Sequence, residues 1–167
     1  MVVIIDFCWI LALIESTCCT KGYHIYIQLY AVAGEAIHLA YQYLKDNAAK
    51  LNLGMDMDKV AIMGGSAGGM ATFYAIANWS DHYQVFVNLW GASDPALGLT
   101  DFPPMLSVHG NADLLVPYER ELPIETELEK HHIPYELITL YGSGHTPLNR
   151  MEEFLLQAMK LLDHCLG

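Results

Sequence analysis

Ala61 to Thr72 reads AIMGGSAGGMAT, with one serine among four glycines, an apolar run before it and an alanine-rich run after it. Glycine inside a strand or helix costs roughly 0.5–1 kcal/mol relative to alanine, so this density marks a geometric demand rather than a stabilising one. A phosphate-cradling loop and a sharp turn that lifts a hydroxyl both fit the glycines. The flanking sequence separates them. A phosphate loop needs a lysine after its glycines, and Gly69 is followed by Met70 and Ala71; the register of a dinucleotide fingerprint is also missing. What remains is Gly64-Gly65-Ser66-Ala67-Gly68, a G-x-S-x-G set between a buried strand ending at Met63 and a helix beginning near Ala67. Glycines two before and two after the serine remove side chains that would collide in such a turn.

Reading outward gives strands and helices in alternation. Val2–Ile5 is a β-branched run suited to a strand covered on both faces. Tyr23–Leu29 (YHIYIQL), after Lys21-Gly22, reads as a second strand, with a short helix over CWILALIEST between the two. Ile37, Ala40, Tyr41, Leu44, Ala48 and Leu51 recur at three- and four-residue steps, so Glu35–Leu51 is predicted to be an amphipathic helix stopped by Gly54. Further strands are expected at Lys59–Met63, Gln84–Trp90, Met105–His109 and Tyr135–Leu140, and further helices at Ala67–Ala77, Tyr118–His131 and Pro147–Cys165. The expected architecture is therefore α/β: one domain over residues 1–167, a three-layer α/β/α sandwich around a mostly parallel sheet of about six strands.

Composition agrees with a folded core and narrows the partners. Apolar residues make up 53% of the 167-residue chain and charged residues 16%. The net charge of −11 disfavours nucleic acid and anionic membrane as partners. Cys8, Cys18, Cys19 and Cys165 form no C-x-x-C pair and read as reduced thiols, with no metal site implied. The apolar N-terminus has no basic flank and carries Asp6 and Glu15, so it reads as part of the fold, and a cytoplasmic location is expected.

A serine hydroxyl needs a base, and the base an acid to orient it. In parallel sheets such groups gather at the carboxyl ends of strands. After the fifth expected strand comes His109-Gly110-Asn111-Ala112-Asp113, and after the sixth Tyr141-Gly142-Ser143-Gly144-His145. The order Ser66, Asp113, His145 nominates nucleophile, acid and base. Asp113 also suits a cap for the next helix, Asp94 is a rival acid, and His109 reads as a residue that shapes the acid loop.

The segments KVAIMGGSAGG, LSVHGNADLLVPY and YGSGHTPLNR resemble the α/β-hydrolase superfamily, in particular the acetylesterase and carboxylesterase branch related to hormone-sensitive lipase and to prolyl oligopeptidase catalytic domains. The resemblance runs from about Tyr23 to the end and implies a serine carboxylesterase with the triad Ser66, Asp113 and His145, without a cofactor. It implies an oxyanion hole from the Ala67 N–H and a second donor after the first strand, for which Phe7 and Cys8 stand where relatives carry a glycine-rich loop. Compared with those relatives the chain resembles a minimal, N-terminally reduced version with no cap domain between Trp90 and Pro103. An open site for short or accessible esters is expected, with Trp9, Trp90 and Tyr141 as candidate pocket residues. Uncovered sheet surface points to a homodimer or larger assembly. Peptide substrates, acetyl- or feruloyl-carbohydrate esters, and a catalytically silent fold kept as an interaction module are the alternatives.

Overall fold

The computed structural model describes residues 2–6, 23–52, 54–94 and 96–167. Five parallel strands, β1 (Val2–Asp6), β2 (Val60–Gly65), β3 (Val85–Leu89), β4 (Met105–Gly110) and β5 (Tyr135–Leu140), lie side by side in chain order. Helices α1 (Tyr23–Asn47), α2 (Ala67–Asn78), α3 (Glu121–Lys130) and α4 (Glu152–Leu166) connect and follow them. Short 3₁₀ turns at Tyr118–Arg120 and Leu148–Arg150 lead into α3 and α4.

Strand periodicity of two divides the core into two faces. Val60, Ile62, Phe86 and Met105 point to one side, where Ile37 and Tyr41 of α1, Phe73 of α2 and Ile124 and Leu128 of α3 close over them. Val87, Leu89, Leu106 and Val108 point to the other and meet Phe154 and Ala158 of α4, while Ala61 and Val85 meet Leu162 and Leu166. The result is a three-layer sandwich, as expected from the alternation of elements.

The strand expected at Tyr23–Leu29 is instead the opening of α1, so the sheet among the described residues has five strands, not six, and β1 pairs directly with β2. β-branched and aromatic composition is a weak preference that context overrides. Here the segment runs without a proline into the helical period that follows, and extending a formed helix costs far less than nucleating one. The same continuity moves the start of the helix expected at Glu35 back to Tyr23, and its end from Leu51 to Asn47. The helix expected over CWILALIEST lies outside the described residues. Among the described residues, no helix is long and apolar enough to cross a membrane.

Candidate active site

β2 and α2 meet at Ser66, whose backbone sits at φ 54° and ψ −121°. A non-glycine residue there carries strain of about 1–3 kcal/mol, which persists only where neighbours enforce it. Three contacts do so. The Ser66 N–H donates to the Leu89 carbonyl at 2.8 Å, the Met70 N–H donates to the Ser66 carbonyl at 3.1 Å, and Gly64 lies against the first turn of α2. A Cβ on Gly64 would stand 2.6 Å from the Gly68 carbonyl oxygen and 2.8 Å from the Gly69 nitrogen, both backbone atoms. Gly65 has room for a side chain, with Trp90 Nε1 3.6 Å away, so the tight requirements fall on the Gly64–Gly68 approach and on Gly69, where a Cβ would meet Asn88 Oδ1 at 2.6 Å and Gly91 Cα at 3.1 Å.

Serine at a helix N-cap usually bonds a backbone amide of the first turn. Ser66 makes no such bond; its Oγ lies 2.8 Å from His145 Nε2. His145 Nδ1 in turn lies 2.6 Å from Asp113 Oδ2. The other oxygen, Asp113 Oδ1, accepts the Leu115 and Val116 N–H groups at 2.9 and 3.0 Å. Asp113 does not cap the next helical turn, whose N-cap is Pro117 with no side-chain bond; one of its oxygens shapes its own turn and the other faces the imidazole. Burial works against the Asp113 carboxylate, but hydrogen bonds from His109, His145, Val116 and Leu115 outweigh it and hold the group well below the usual carboxylate range. With Asp113 ionised, His145 Nδ1 carries the proton and Nε2 is left as acceptor for the Ser66 hydroxyl. This is a serine-hydrolase-type arrangement.

The rival acid, Asp94, turns its Oδ1 to the Ala96 N–H at 2.9 Å and serves its own turn. Ala67 is buried at the first position of α2, directly after Ser66. β1 ends at Asp6, paired with Gly64 two residues before the serine; Phe7, Cys8 and Trp9 lie outside the described residues. Trp90, expected as a pocket residue, is 3% exposed and, with its backbone turned to φ 46°, packs edge-on against Phe154 on the same face as Val87 and Leu89. Tyr141 is exposed on the loop leading to His145. A cavity of about 520 Å³ lined by Trp79, Asp81, Tyr83, Thr100 and Phe102 opens before β3 and β4, at the N-terminal ends of the strands, whereas Ser66 lies at a C-terminal end.

Two features of the site carry no sequence signal. Arg150, in the 3₁₀ turn before α4, donates to the Tyr141 carbonyl and to Ser143 Oγ, each at 2.8 Å, and pairs with Glu153, bracing the loop that carries His145. Glu121, legible only as an acidic residue in the early turns of a helix, is 1% exposed beneath the acid loop and bonds His109.

Comparison with solved structures places the fold in a known frame. The chain superposes on a puromycin-hydrolysing peptidase from Mycobacterium tuberculosis with a TM-score of 0.68 at 22% identity, covering 81% of this chain and 26% of that one. It superposes on Thermogutta terrifontis esterase 2 with a TM-score of 0.66 at 20% identity, covering 81% and 63%. Esterase PE8 gives 0.63 at 24%, covering 80% and 62%. The fold is that of the α/β-hydrolase superfamily. Within it the model of the prolyl oligopeptidase family matches residues 44–102, which hold the end of α1, the serine turn and β3. Curated proteins gave no sequence match. The chain spans less than two thirds of the length of each of these three solved relatives.

Proposed function

We propose that the chain is a serine carboxylesterase acting on short-chain or otherwise accessible carboxylic esters. The reading is carried by the unbroken path from Ser66 Oγ through His145 to Asp113, at 2.8 and 2.6 Å. Ser66 attacks the ester carbonyl as His145 Nε2 takes its proton, and Asp113 stabilises the imidazolium that forms. The same proton then passes to the leaving alcohol, and water activated by His145 releases the acyl group. The Ala67 N–H, at the start of α2, supplies one oxyanion donor and the backbone beyond Asp6 the second; losing one such donor costs about 10²–10³ in kcat. No metal or organic cofactor is required by this chemistry.

Hydrolysis of p-nitrophenyl acetate and butyrate, compared with Ser66→Ala, tests the reading. A fall of at least about 10³-fold is expected, and turnover that survives the change overturns it. The prolyl oligopeptidase match and the peptidase superposition favour one other substrate class, aminoacyl amides. A panel of aryl acetates, acetylated sugars and aminoacyl anilides separates the two. Self-association is part of the same proposal: β1 is terminal in the sheet among the described residues, and Leu155, Leu156 and Met159 stand exposed on α4. A monomer by light scattering would count against it.

A further inference from the structure

Behind Asp113 lies a second imidazole. His109 of β4 is fully buried, with Nδ1 2.7 Å from Glu121 Oε1 and Nε2 2.8 Å from the Val116 carbonyl oxygen and 3.4 Å from Asp113 Oδ2. A carbonyl can only accept, so Nε2 carries a proton. The state of Nδ1 follows from what surrounds Glu121. The Asn88 amide donates to Ser107 Oγ at 2.9 Å, which leaves the Ser107 hydroxyl to donate to Glu121 Oε1 at 2.8 Å. The Tyr135 hydroxyl donates to Glu121 Oε2 at 3.0 Å, and burial together with Glu121 pushes that phenol above its usual range, keeping its proton on. With donors on both oxygens, the Glu121 carboxylate also accepts a hydrogen bond from His109 Nδ1–H, so both ring nitrogens carry protons.

We propose that His109 is a buried imidazolium clamped between Glu121 and Asp113, and that it acts as a positioning residue. Its charge keeps Asp113 an ionised, correctly aimed acceptor for His145. The inference rests on the triad reading above and adds a fixed cation to it. Asp113 Oδ2 is shared by the two imidazoles, at 2.6 Å from His145 and 3.4 Å from His109. Burial alone would push the His109 proton off. The hydrogen bonds to Asp113 and Glu121, the Glu121 charge and the Val116 carbonyl reverse that and raise its pKa to about 9. Among the described residues, the Tyr118 ring also meets the imidazole, edge-on at 5.8 Å. Pairing matters because a single buried charge is costly whereas a hydrogen-bonded pair is tolerated.

Two measurements on the whole chain test this. In protein labelled with ¹⁵N-histidine, assigned by loss of the signals in His109→Gln, both His109 ring nitrogens are expected to carry protons at pH 8. A single protonated nitrogen there overturns the proposal, whatever the protein hydrolyses. The second readout is the pH dependence of Ser66 labelling by a fluorophosphonate. Removing the cation while Glu121 stays charged leaves the triad in a more negative field, so His109→Gln should move the acidic limb up by about one pH unit. A slower rate with the limb unmoved indicates a packing role only and overturns the proposal. If the single change does not fold, the pair His109→Gln/Glu121→Gln removes both charges and should move the limb in the same direction by less. Unlabelled Ser66 in a protein whose His109 is doubly protonated would sink the triad reading and leave the ion pair standing.

Discussion

Adding one methyl group at Gly110 should disable the site without touching any of its three side chains. Gly110 ends β4, three residues before Asp113, and faces the loop that carries His145. A Cβ built there meets the Ser143 carbonyl oxygen at 2.4 Å and the Gly144 carbonyl oxygen at 2.7 Å, where ordinary contact is 3.4–4 Å. The 143–144 segment must therefore retreat by about 1 Å, and His145 is the next residue. That retreat also strains the bond from the Ala112 N–H to the Ser143 carbonyl, now 2.9 Å, which ties the acid loop to the base loop. A displacement of this size between reacting groups costs about 10²-fold in rate, and overpacking a tight contact costs about 1–3 kcal/mol in stability. Gly110→Ala should thus lower kcat on p-nitrophenyl acetate by about 10²-fold while circular dichroism still reports a folded protein. Gly144→Ala is the internal control. Among the described residues a Cβ there meets only the Ala112 carbonyl, at 3.8 Å, so activity should stay within about threefold of the parent. Parental kcat in Gly110→Ala, or equal losses in the two variants, would refute the claim that the close approach of these loops sets the Ser66–His145 distance.

Other expectations follow from the same contacts. Asp113→Asn should cost about 10³–10⁴ in kcat by favouring the wrong His145 tautomer, with a smaller loss in urea midpoint because the Oδ1 turn contacts can persist. His109 is held to about 9 against an ordinary 6.5, so the stability it contributes is complete below pH 6.5 and lost as pH rises through 9. At 1.36 kcal/mol per unit this amounts to about 3 kcal/mol; urea titrations at pH 6, 7.5 and 9 should show the decline, and a flat profile contradicts it. Asp113 acts with the opposite sign: its contribution is present above its ordinary 3.8 and disappears as pH falls below that value. Arg150→Ala should raise mobility in the base loop and lower kcat by about tenfold with little change in thermal midpoint, since its Glu153 partner is half exposed.

How much of this was legible in the amino-acid order differs by element. Local chemistry sufficed for the serine turn, because a glycine pair around a serine between an apolar strand and a helix has few uses. It sufficed for the alternation that makes a parallel sheet, and for Asp113 and His145 as candidates, because strand ends are where such a sheet presents side chains. It misread Tyr23–Leu29, where strand-like side chains yielded to a continuous helix, and so overcounted the sheet by one strand among the described residues. Only tertiary structure decided the rest. It showed that Asp113 divides its two oxygens between turn and imidazole, that Trp90 belongs to the core, and that Arg150 braces the base loop. It also showed that Glu121, on the surface by every local measure, is buried under β4 with a histidine. The physical reason is one of range. Glycine, proline and side-chain periodicity act over a few residues, whereas a buried charge is tolerated only through partners such as Asn88, Ser107, His109 and Tyr135, which the fold alone brings together.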